Sequence, residues 1–140
     1  MNSSSILIPM LVQVSLTLLV FVLLGFRKIA AIKTGKVDRE KTALDNTAWP
    51  IGVVKVSNNI SNQFQTPVIF YILIIFFYMT NSVTMSVVIL SWVYSISRLI
   101  HAFVHVTSNF VPARFLMFML GVICLLIMTI FAFIQLSTGI

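Results

Sequence analysis

Four long, predominantly apolar stretches, at about 6–26, 53–79, 83–106 and 114–136, constrain this chain more than any other feature. A hydrocarbon core about 30 Å thick needs roughly 20 apolar residues per helical crossing, and each stretch reaches that length. Only helices and closed barrels satisfy their backbone polar groups in lipid. Barrel strands read as segments of about ten residues with alternating polarity, and runs such as VIFYILIIFFY and LLIMTIFAFI show no alternation. The expectation is an all-α fold, a four-transmembrane-helix bundle forming one domain over 1–140. Charged residues make up 9% of the chain, against about 25% in soluble domains, so no separate soluble core is expected. The opening MNSSS lacks a basic n-region and a small-residue cleavage site, and the first stretch is therefore expected to stay as a span.

Arg27, Lys28, Lys33, Lys36, Arg39, Lys41 and Lys55 fall between or beside the first two spans, together with every acid, Asp38, Glu40 and Asp45. Lysines and arginines near span ends mark the cytoplasmic side. This loop is thus expected in the cytoplasm, the uncharged connection TNSVT on the far side, and both termini on the non-cytoplasmic side. The net charge of +6 reads as topogenic charge that also attracts anionic lipid headgroups, not as a nucleic-acid surface. The single cysteine, Cys124, lies mid-span, can form no internal disulfide, and reads as packing.

The second stretch is divided. KVSNNISNQFQTP is polar, whereas the following VIFYILIIFFYM is wholly apolar. Twelve residues rise about 18 Å as helix, too little to cross, so the polar half must enter the membrane facing a bundle interior or a wet cavity. Pro67 cannot bond to the Gln63 carbonyl and is expected to bend the helix where the polarity changes.

Residues three and four apart share a helix face. Ser91, Tyr94, Arg98, His101 and His105 follow that spacing in the third span; Asn58, Asn62 and Gln65 do so in the second. Arg114, Met117, Gly121, Cys124 and Met128 form a seam on the fourth, where Gly121 permits close helix approach. With antiparallel packing, Asn58, Asn62, Gln65, Arg98, His101, His105 and Arg114 gather at the cytoplasmic end. The group holds cations and amides but no acid. Two readings stay open: a site for an anionic guest, since arginine pairs with carboxylate or phosphate, or a hydrogen-bonded packing network with the arginines as headgroup anchors. No metal site is expected, because two histidines alone lack further ligands.

The pattern Arg98-x-x-His101, with Arg114 sixteen residues after Arg98, resembles the MAPEG superfamily, the membrane-associated proteins of eicosanoid and glutathione metabolism. The run Asn62-Gln-Phe-Gln65-Thr-Pro67-Val-Ile-Phe-Tyr71 is similar to the bacterial branch's form of the family Asn-x-x-Glu motif, and ILIPMLVQVSLTLLVF with the basic loop fits that branch. The resemblance implies a homotrimer in a bacterial inner membrane, with sites between subunits open to the cytoplasm. It implies glutathione as cofactor and a lipophilic electrophile as substrate. Asn62, Arg98 and His101 would hold the peptide, and Arg114 would stand near its thiol as the catalytic residue, with Asn58, Gln65 and His105 completing the binding set. The eukaryotic enzymes have arginine at the place of Asn58, glutamate at Gln65 and tyrosine at His105. The missing carboxylate leaves more positive charge here and admits a more anionic guest.

Three functions follow for comparison. The first is a glutathione-dependent transferase or peroxidase. The second is a non-catalytic trimer that binds lipid or a partner on the same scaffold. A proton-coupled exporter ranks last, since such coupling needs an embedded carboxylate and no Asp or Glu lies in any span.

Overall fold

Apolar sequence in lipid leaves a backbone no partner but itself, and the chain responds with helix almost throughout. In the computed structural model, which describes residues 3–138, the elements are α1 (Leu7–Lys33), α2 (Arg39–Leu44), α3 (Ile51–Gln63), α4 (Thr66–Met79), α5 (Met85–Val106) and α6 (Val111–Thr138), with short 3₁₀ turns at Ser3–Ile6 and Asn46–Ala48. Four helical segments are long and apolar enough to cross a membrane: Ser3–Lys33, Ile51–Met79, Met85–Val106 and Val111–Thr138.

Most span ends fall within about three residues of the sequence expectation, and two departures are larger. Helix α1 continues past residue 26 to Lys33, because intrahelical bonding does not stop at the lipid edge and cations are favourable near a helix C-terminus. It ends at Gly35, whose φ of +70° suits the left-handed stop that glycine adopts without strain. The second crossing is broken, not merely bent: α3 closes at Gln63 and α4 opens at Thr66, with Phe64 and Gln65 between them. Pro67 brings no N–H for the Gln63 carbonyl and crowds the residue before it. At Gln65 the backbone leaves the helical region, with φ −100° and ψ −100°.

Short connections tie the crossings into an antiparallel bundle. The α4–α5 turn passes through Asn81 at φ 53° and the α5–α6 turn through Asn109 at φ 55°, a conformation asparagine tolerates better than most residues. Thr84 caps α5 by accepting from the Val87 N–H. In the long connection Asp38 caps α2, accepting from Glu40 and Lys41 N–H groups at 3.1 Å. Hydrogen bonds from the Thr47 hydroxyl and then the Thr47 backbone hold the exposed Asp45 carboxyl below its ordinary pKa. Lys28 lies over the Trp49 ring at 4.9 Å, and Lys55 Nζ donates to the Thr107 carbonyl at the C-terminus of α5. The basic loop and the α5–α6 turn therefore share one end of the bundle.

Packing is closest between α5 and α6. Of the predicted seam, Gly121, Cys124 and Met128 are buried while Arg114 and Met117 are half-buried, and Tyr94 stacks on Phe70 at 4.3 Å. A Cβ at Gly121 would stand 3.2 Å from Ser97 Oγ and 3.4 Å from Tyr94 Cε2, so a longer side chain must drive the helices apart. Gly121→Leu is expected to lower stability by about 1–3 kcal/mol through overpacking, read as the thermal midpoint in detergent, with Gly121→Ala losing less. An unchanged midpoint for Gly121→Leu would show that the helices do not meet there.

Candidate functional site

The break in the second crossing supplies the first element of the site. There the Asn62 carbonyl accepts from the Gln65 N–H at 3.5 Å and from Arg98 Nη2 at 3.3 Å. The Asn62 side-chain nitrogen lies 3.5 Å from His101 Nε2 and 3.4 Å from His105 Nδ1. On its other edge, His101 Nδ1 lies 2.9 Å from the Arg114 carbonyl. A carbonyl only accepts, so Nδ1 carries the proton and Nε2 is left to accept from the amide, whose two N–H groups serve the two rings. One asparagine thus ties both histidines and, through its backbone, Arg98. The α5–α6 turn orients Arg114, since Asn109 Oδ1 accepts from Arg114 Nη1.

Arg98 is fully buried, and its Nε and Nη1 have no hydrogen-bond partner. Every acid of the chain lies at 38, 40 or 45, in the connection outside the spans. A buried cation of this kind is costly unless something anionic meets it. Beside it opens a cleft of about 230 Å³ lined by Asn62, Gln65, His101, Arg114 and the apolar Val111, Phe115 and Phe118. Volume alone does not single it out, because a hollow of about 270 Å³ between Phe77, Thr84 and Phe131 has no charged lining. What distinguishes this cleft is a guanidinium, an imidazole and two amides facing an apolar wall. Such a set can bind an anion at one side and an apolar molecule at the other.

The third-span stripe Ser91, Tyr94, Arg98, His101 and His105 is buried throughout. Arg98, His101, His105, Asn62 and the Arg114 backbone come together, and Gln65 lines the cleft while remaining exposed. Asn58 is not brought to this group: it stands on the exposed side of α3. The buried amides of α3 are its neighbours Asn59 and Gln63. Asn59 donates to the Ala102 carbonyl at 3.0 Å, Gln63 donates to Asn59 at 2.8 Å, and Gln13 of α1 donates to Gln63 at 2.8 Å. This network joins three helices behind the cleft. Its clearest sequence signal is Gln13, the one amide in the first apolar run. Phe115 and Phe118 carried no signal beyond standing one and four residues after Arg114. Among the described residues, no three of His, Cys, Asp and Glu gather to hold a metal.

No curated protein and no solved structure matches the chain. The family model described as "MAPEG family" matches residues 6–134, nearly its whole length and all four crossings. The chain is a member of the MAPEG family, a membrane protein of the eicosanoid and glutathione metabolism superfamily.

Proposed function

We infer that this protein is a glutathione-dependent transferase or peroxidase acting on lipophilic electrophiles, working as a homotrimer whose clefts lie between neighbouring subunits and face the cytoplasm. The observation that carries the reading is the cleft itself, with Arg114, His101, Asn62 and Gln65 set against Phe115 and Val111. Glutathione has two carboxylates, an ammonium and a thiol. Arg114 and Arg98 suit the carboxylates as paired donors, and the Gln65 amide oxygen suits the ammonium more weakly than a carboxylate would. When bound, the tripeptide supplies a sulfur nucleophile. Arg114, as a neighbouring cation, favours the ionised thiol, while Asn62 and His101 orient the peptide. Phe115 and Val111 offer the electrophile an apolar approach from the bilayer. Exposed apolar faces on every crossing suit both lipid and a partner subunit. The clustering of lysine and arginine at one end supports a cytoplasmic orientation of that end, with both termini opposite; a bacterial inner membrane is the setting that the resemblance implies.

Detergent-purified protein mixed with glutathione should show the ultraviolet band of bound thiolate at neutral pH and conjugate an aryl halide faster than buffer does. Absence of both results would reject the enzyme reading. A second reading draws on the lack of any acid in the cleft: a non-catalytic trimer binding a lipid phosphate there. It predicts binding of an anionic lipid without a thiolate band.

A further inference from the structure

Phe118 stands one turn below Arg114 on α6, and its ring forms part of the cleft wall. Behind it lies Arg98, whose Cζ is 5.4 Å from the ring centroid; the His101 ring centroid is 5.9 Å from that of Phe118. Arg98 is fully buried and does not line the cleft, yet its Nε and Nη1 have no partner. An aromatic face attracts a cation through its quadrupole, and most strongly where water is excluded. The ring therefore supplies part of the compensation that the missing carboxylate would give. Phe118 is half-buried, and the cleft of about 230 Å³ opens beside it.

We propose that Phe118 is a gate that closes the floor of the cleft over Arg98 and selects guests with two separated acidic groups. The first group pairs with Arg114 at the mouth. The second displaces the ring and takes the free Nε and Nη1 of Arg98, exchanging an aromatic face for carboxylate or phosphate oxygens. A guest with one acidic group engages Arg114 alone and leaves the gate shut. This rests on the reading that the cleft binds an anion, but the position of the ring over Arg98 can be tested without any guest.

The test is arginine modification by phenylglyoxal on the full chain in detergent, followed by mass spectrometry of the Arg98 peptide, with exposed Arg39 as internal reference. Wild-type Arg98 should react at least tenfold more slowly than Arg39. Phe118→Ala should raise the Arg98 rate at least tenfold without changing Arg39. Phe118→Leu, which keeps most of the apolar volume, should give a smaller rise and serves if the alanine variant does not fold. Wild-type Arg98 reacting as fast as Arg39 would overturn the gate, as would an Arg98 that stays unreactive in a folded variant. Glutathione or inorganic phosphate should protect the newly exposed Arg98. Exposure of Arg98 without protection by either would uphold the gate and sink the proposed ligand.

Discussion

Arg114→Ala is expected to cut the rate of glutathione conjugation on the order of a hundredfold, the usual loss when one preorganised charge-stabilising group is removed. The guanidinium lines the cleft, and Asn109 steers it. His101 is bonded to the Arg114 backbone carbonyl, not its side chain, so alanine leaves that bond in place and isolates the loss of charge. Without the cation the thiol pKa rises, and the rate profile should shift to higher pH, with part of the lost activity recovered in alkali. Arg114→Lys keeps the charge but not the two-pronged donor, and should fall between. Conjugation rates and their pH dependence for the three proteins check this. An unchanged profile would make Arg114 an anchor at the headgroups.

Arg98→Met should weaken glutathione binding and stabilise the protein at the same time. Charge-assisted hydrogen bonds contribute about 1.5–3 kcal/mol each, so affinity should fall roughly ten- to a hundredfold. Replacing even a paired set of buried charges by apolar side chains of similar volume is often neutral or stabilising by about 1–4 kcal/mol. The gain is expected here because Arg98 has two unpartnered nitrogens and no acid in its span or those around it. Calorimetry of glutathione binding and thermal unfolding in detergent separate the effects. A merely structural arginine would give the opposite pattern, with a lower midpoint and unchanged affinity.

The helical bundle was legible because lipid permits so few backbone solutions: runs such as 125–134, with no alternation of polarity, do not read as barrel strands. The stripe from Ser91 to His105 was equally legible, since its polar residues stand out against an apolar helix at spacings of three and four. The phase of α3 was not. Ser57, Asn58, Asn59, Ser61, Asn62 and Gln63 surround that helix with polarity, so no face is marked, and the buried side is set by Val53 and Val56 together with Asn59 and Gln63. Pro67 announced a disturbance, but whether the helix bends or breaks depends on what donates to the carbonyls around it. Arg98, distant in sequence, donates to that of Asn62. Phe118 was illegible for a different reason: an aromatic residue in an apolar span has no contrast with its neighbours, and its contact with a guanidinium exists only in three dimensions.

A density map of the protein with glutathione added tests the central claim most directly. Density is expected in the cleft between Arg114, His101 and Asn62, with an acidic end directed toward Arg98 and a second subunit closing the open side. Density confined to the outer lipid-facing surface, or an empty cleft at saturating glutathione, would contradict it.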